Sequence, residues 1–403
     1  MRKVNIPAPE WQEPAKGETL TLELRLITPM FGGGYATGQI DPLLPIRSAA
    51  IRGHLRFWWR ATAGARYASV DELYMAETDL WGGASTSERS AAGKVAIRVE
   101  ILDSGQPVPY SDIAPKANPK VGPQHGYFLF PFQPQQGKPA ATGRKDVSFR
   151  LTLTLHPDLS DAQRSGVRTA LKAWIAFGGV GARTRRGCGA LTVVGQNASQ
   201  WLPPTQNLAQ WLPVPRGAAS PPRWATLADA RGMIVIKRDA EHAWCELGRF
   251  WARFRKGHFP QNYSPMSGSK WADYRQVLCR LSEQQGKVRL AKPFLGLPII
   301  YQDIKGARNL CFVGSVEPAE SGRMASPVIL KPIALQDGRY GALILVMNAP
   351  KPRQIQIQGS SYTLEPPQAD PVLKALQTND VLDAVLKGAQ RHFQNALVSF
   401  QLG

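Results

Sequence analysis

No stretch of this chain approaches about eighteen consecutive apolar residues, so a transmembrane helix of ordinary length is excluded. The opening stretch, MRKVNIPAPEWQEPAKGE, lacks the apolar centre of a secretory leader, and a cytoplasmic location is expected. The cysteines are few: Cys188, Cys245, Cys279 and Cys311. None form a CxxC pair and no histidine stands beside them at zinc-ligand spacing, so no metal site and no cofactor is expected. Four scattered thiols suggest a reducing compartment. Acids are scarce as well, 30 Asp and Glu against 49 Lys and Arg. They show no D-x-D pairing suited to two-metal catalysis.

What is present is positive charge. The formal net charge of +19 attracts a polyanion. A membrane binder concentrates such charge on one amphipathic helix or a polybasic tail, whereas here it runs along the whole chain. Many of the cations are Arg, whose planar fork suits phosphate and stacks on bases. Nucleic acid is therefore the expected partner, and no membrane is expected.

With 403 residues and 43% hydrophobic content the chain has mass for two cores. Two Pro- and Gly-rich breaks divide it. The first, about 103–146, reads as a long insertion with an aromatic island at Tyr127–Phe132. The second, within 195–223, carries prolines that block regular structure, which places a linker at 199–225 between domains 1–198 and 226–403. Alternation predicts strands at Glu18–Ile27, Lys94–Leu102, Val147–Leu155 and Leu191–Val194. Apolar spacing predicts a helix over Ser48–Thr62 with Ile51, Leu55 and Trp58 on one face. A second follows a Ser160/Gln163 capping box and stops at Gly178 and Gly179. The order is strand, helix, strand, strand, helix, strand, which is the split βαβ of ferredoxin-like and RRM-like domains. In the second half, Gly232–Lys237, Leu310–Val316, Val328–Lys331 and Ala342–Met347 read as strands. Ala243–Lys256 and Val381–Asn395 read as helices. The expectation is an α+β protein of two ferredoxin-like domains, the second modified.

Two segments could carry binding. FGGVGARTRRGCGAL, Phe177–Leu191, joins a helix to a strand. Its glycines Gly178, Gly179, Gly181 and Gly187 permit close backbone approach to a ligand, and Arg183, Arg185 and Arg186 supply phosphate contacts. The P-loop pattern GxxxxGK[ST] is absent from it. In Thr28–Gly64, the run Gly32, Gly33, Gly34 follows a strand, and Arg47, Arg52, Arg56 and Arg60 form a basic stripe on the next helix. No acid lies between Asp41 and Asp71 to neutralise that stripe. His54 and Trp59 are candidates for RNA contact or base stacking, although a tryptophan there is more often core. His54 as a general base would need a partner that the sequence does not offer, so no catalytic residue is expected. A third segment, RMASPVILKP, Arg323–Pro332, reads as a buried strand with basic ends.

TPMFGGG followed by IRGHLRFWWRA, with GARTRRGCGAL and RMASPVILKP further on, resembles the RAMP superfamily of CRISPR proteins. Within it the set is similar to the first RAMP subunits of the type III-B Cmr complex. The resemblance implies paired ferredoxin-like domains and a non-catalytic RNA-binding role near the 3′ region of the guide RNA. It also implies help in capturing target RNA, and other RAMP subunits of the Cmr complex as neighbours. The rival expectations are a metal-independent endoribonuclease that processes guide precursors using His54, and a scaffold that touches protein neighbours only.

Overall fold

The computed structural model describes residues 17–34, 39–84, 92–114, 125–135, 137–258, 269–301, 312–320, 322–394 and 397–403. Residues 1–16 and Cys311 lie outside them. The protein is α+β, with several antiparallel sheets.

The first half runs β1 (Glu18–Leu26), α1 (Ser48–Ala61), α2 (Val70–Trp81), β2 (Val95–Asp103), β3 (Ser148–Leu155), α3 (Asp161–Phe177) and β4 (Leu191–Val194). The strands stand side by side in the order β2, β3, β1, β4, all antiparallel. Leu22 pairs with Leu151 and Leu24 with Phe149, so both strands present the same face to the core. A one-residue slip would turn that face to solvent. The Ser160/Gln163 capping box forms as the sequence predicts. A second box, Ser69 with Glu72, opens α2, which the sequence reading leaves out.

The second half repeats the pattern with longer connections. Its elements are β5 (Thr226–Lys237), α4 (Ala240–Lys256), β6 (Val328–Ala334), β7 (Tyr340–Asn348), α5 (Val381–Phe393) and β8 (Leu397–Gln401). The sheet order is β6, β7, β5, β8, again antiparallel throughout. Between these elements lies a further five-stranded sheet, ordered Lys287–Arg289, Ser360–Glu365, Gln354–Ile357, Gly314–Pro318, Ile299–Tyr301. The strand expected at Leu310–Val316 is thus Gly314–Pro318, and Leu310 lies outside the described residues.

All seven residues of β6 are buried, because the second sheet is covered on both faces. Ile329 and Ile333 pack into the core that holds Trp58 and Trp174 of the first half. Val328 and Leu330 point the other way, into a core with Trp244, Phe250 and Trp251 of α4. The period of two along a strand therefore fastens one sheet to two cores.

The described part of the insertion is packed as well. Gln106–Pro109 pairs with Thr142–Lys145. The island His125–Phe132 forms a 3-10 helix that buries Phe128, Leu129 and Phe132. Phe132 stacks on Phe31 at 4.5 Å. In the Pro-rich segment, Trp201, Leu202, Leu208 and Leu212 are buried in the first core. Cys279 is disulfide-bonded, which departs from the expectation of four free thiols. Among the described residues, no helix is long and apolar enough to cross a membrane.

Candidate nucleic-acid interface

The two Gly-rich segments meet. Ala182 N–H donates to Phe31 O at 2.7 Å, and Gly189 N–H donates to Pro29 O at 2.9 Å. The reason for glycine differs from the one expected. A Cβ on Gly181, whose φ is +78°, would lie 2.6 Å from Phe31 O. On Gly187 it would lie 2.7 Å from Trp244 Nε1. These positions let backbone pack on backbone and on a tryptophan, and the close approach is to the protein itself. Gly178 and Gly179 are buried in the same way, and Gly32 is buried against Ala182. Gly33 is different: it is exposed and its Cβ position is open to within 3.9 Å. Gly34 is partly exposed and donates to Gln39 O.

Where these loops meet the start of α1 there is a cavity of about 190 Å³. Gly33, Arg47, Ala50, His54, Gly181 and Ala182 are among the residues that line it. The exposed Arg47 guanidinium donates to Gly33 O at 2.7 Å, which sets the guanidinium at the mouth. α1 begins without a capping side chain and has no acid in its first turn. Its positive dipole end is thus left open beside Arg47. Asp41 turns away from this role: its carboxylate accepts from Leu43 N–H and Leu44 N–H, and those bonds hold its pKa low. His54 lies partly exposed over Trp174, with ring centroids 6.4 Å apart, and burial pushes its pKa down. No hydrogen bond or ion pair of its ring is found among the described residues.

The basic stripe has partners that the sequence of α1 alone does not reveal. Arg52 donates to Trp81 O and Val95 O. Arg56 and Arg60 both bind Glu77 Oε1, at 2.5 and 2.6 Å, and Arg56 also reaches Gly82 O. Glu77 is buried on α2. The neutralising acid expected to be missing comes from the neighbouring helix, and three of the four arginines tie α1 to α2 and β2. Trp59 is buried at 3% exposure and packs near Tyr67, so it has no face for a base. Trp58 is buried too.

The arginines of the TRR turn separate likewise. Arg185 donates to Ser326 O and lies over the Phe57 ring. Arg186 donates to Val328 O at 2.6 Å and to Ser326 Oγ at 3.0 Å, with its guanidinium 4.8 Å from the Trp251 ring centroid. Both hold the loop to the strand that enters β6. Arg183 alone is exposed. Beneath them sits a residue that the sequence reading placed at the end of a strand. Lys331 is completely buried inside β6, and its Nζ donates to Gly178 O at 2.7 Å and Ile175 O at 3.3 Å. It closes the last carbonyls of α3, and burial pushes its pKa down to about 7.

The "RAMP superfamily" family model matches residues 23–192, which contain both Gly-rich segments and the cavity lining. Over that stretch the chain is similar to the RAMP superfamily. No curated protein matches the chain. Among solved structures, the chain is similar to apo Cmr1 from Pyrococcus furiosus, with a TM-score of 0.49, 16% identity, and coverage of 83% of this chain and 89% of that one. It is also similar to a chain in the cryo-EM structure of the type III-B Cmr-beta complex bound to cognate target RNA, with a TM-score of 0.48, 11% identity, and coverage of 94% and 100%. A chain in a type IV-B CRISPR complex aligns over 44% of this chain and 91% of its own length, at a TM-score of 0.30 and 16% identity.

Proposed function

We propose that this chain is a non-catalytic RNA-binding subunit of a type III-B CRISPR effector ribonucleoprotein. In this reading it holds the 3′ region of the guide RNA, helps capture target RNA, and sits beside other RAMP subunits. Its two halves, 1–198 and 226–403, are read as ferredoxin-like units joined by 199–225, the second modified. Support for that pairing is the shared strand order, β2, β3, β1, β4 in one and β6, β7, β5, β8 in the other.

The observation that carries the RNA reading is the cavity mouth at Gly33, Arg47 and Gly181. An open helix start, an exposed guanidinium and a loop without side chains converge there on a chain of +19. That set suits a phosphodiester backbone, which varies little with sequence, and it offers little means of reading base edges. RNA contact at this mouth falls to Arg47, Gly33, Gly34 and the cavity face of His54, with Arg183 as the exposed cation of the TRR turn. Arg52, Arg56, Arg60, Arg185 and Arg186 then act by shaping the loops.

The test separates the two groups. Arg47→Ala should weaken single-stranded RNA binding by about 3- to 10-fold, the loss of roughly one phosphate contact, with an unchanged melting temperature. Arg52→Ala should lower the melting temperature, while its folded fraction binds RNA as before. Undiminished affinity in Arg47→Ala would remove the cavity mouth from the interface.

A further inference from the structure

Three groups able to ligate a metal meet where the insertion lies on α4, away from the cavity. Glu241 and Cys245 stand four residues apart on α4, so both project from one side of it. His125 opens the 3-10 helix of the insertion and lays its ring flat on Trp244, with centroids 4.6 Å apart and planes 9° apart. Its Nδ1 lies 2.9 Å from Cys245 Sγ and 3.9 Å from Glu241 Oε1. All three ligand atoms fall within 4.8 Å of one another. The other ring nitrogen, Nε2, lies 2.5 Å from Ile113 O. A carbonyl oxygen can only accept, so Nε2 carries the hydrogen. Nδ1 keeps its lone pair and directs it at the thiol and the carboxylate. A backbone carbonyl holding the far nitrogen is the outer support that a ligating histidine uses.

The exposure of the three groups is graded in a useful way. His125 is buried and Cys245 half-buried, whereas the Glu241 side chain is 71% exposed. Nitrogen and sulfur are held in place, and the carboxylate is free to swing in. Arg249, whose positive charge reaches His125 and Cys245, is paired with Glu246. The 2.9 Å between nitrogen and sulfur is a hydrogen-bond distance. A tetrahedral ion with bonds of about 2.05 Å to nitrogen and about 2.3 Å to sulfur needs them roughly 3.5 Å apart. The pair would open by about half an ångström, with the thiol proton released as the ion enters.

We propose that His125 Nδ1, Cys245 Sγ and the Glu241 carboxylate bind a divalent cation of the zinc class, with water in the fourth position, and that the ion fastens the insertion to α4. The donor set is one nitrogen, one sulfur and one oxygen, which suits a borderline-soft ion and disfavours calcium or magnesium. The separation of 120 positions between His125 and Cys245 hides the site from any spacing rule.

The probe is cobalt(II) added to the full-length protein after chelator treatment, in a reductant that does not bind metal. One equivalent should give a thiolate-to-cobalt absorption in the near ultraviolet and the visible bands of a tetrahedral ion, both removed by zinc. Cys245→Ser should abolish the near-ultraviolet band, and His125→Gln should weaken cobalt binding at least about 10-fold. Glu241→Gln, an exposed change that leaves packing intact, should keep the band but weaken binding several-fold. No band in the wild-type protein, or one that survives Cys245→Ser, overturns the site. Unchanged affinity in Glu241→Gln overturns the three-ligand set.

Discussion

Between about pH 7 and about pH 9.5 the wild-type protein should gain on the order of 2–3 kcal/mol of stability that the Lys331→Met variant does not gain. The physical basis is one fully buried ammonium in β6. Burial lowers the Lys331 pKa to about 7, whereas the same group in the unfolded chain keeps its proton to about 10.4. Between those values the unfolded state binds more protons than the folded state. Stability therefore rises as pH rises through that window and is flat below the folded value. Methionine matches the length of the side chain and does not titrate, so the difference between the two proteins isolates this group. The variant also leaves Gly178 O and Ile175 O without their donor, which costs about 1–3 kcal/mol at high pH, where the wild-type amine is neutral and still donates. Urea denaturation of both proteins at the two pH values measures this. Parallel stability curves would mean that Lys331 holds its charge throughout.

Arg186→Ala should cost about 2–4 kcal/mol, while Arg183→Ala, three residues earlier, should stay within about 0.5 kcal/mol of wild type. Arg186 gives two hydrogen bonds to the entry of β6 and lies against Trp251, and its removal leaves Val328 O without this donor inside the junction of two cores. Arg186→Lys should recover only part of the loss, since an ammonium lacks the planar fork. Denaturation midpoints test this directly. If both alanine variants unfolded alike, the TRR turn would be a solvated loop, which is how its sequence alone reads.

That contrast shows what the sequence made legible. Local signals were reliable where the partner is a few residues away: the Ser160/Gln163 box, the apolar face of α1, and the alternation in β1 and β3. The first-half order of strands and helices followed from them. The Ser69/Glu72 box was equally readable, and missing α2 with it meant missing Glu77, the acid that neutralises Arg56 and Arg60. Other features depend on contacts across the chain and have no local sign. Lys331 reads as the basic end of a strand until α3 is placed above it. Gly181 and Gly187 read as a ligand-binding loop until Phe31 and Trp244 fill the space. Of the five-stranded sheet the sequence reading caught only Gly314–Pro318, with shifted bounds, because its strands have three to six residues and come from distant segments. Of the candidate residues, Gly33, Arg47 and His54 line one cavity, which only the fold creates.

The most direct test of the RNA-binding account is a binding and cleavage assay on the purified chain. Labelled single-stranded RNA and matched DNA would be titrated with EDTA or with magnesium, across a salt series. The account predicts that RNA is bound and recovered intact in both, with log affinity falling linearly as log salt rises, by about 0.7 per phosphate contact. Defined cleavage in EDTA that His54→Ala abolishes would contradict it in favour of a ribonuclease. No binding even at low salt would contradict it too, and would leave the basic surface to protein neighbours.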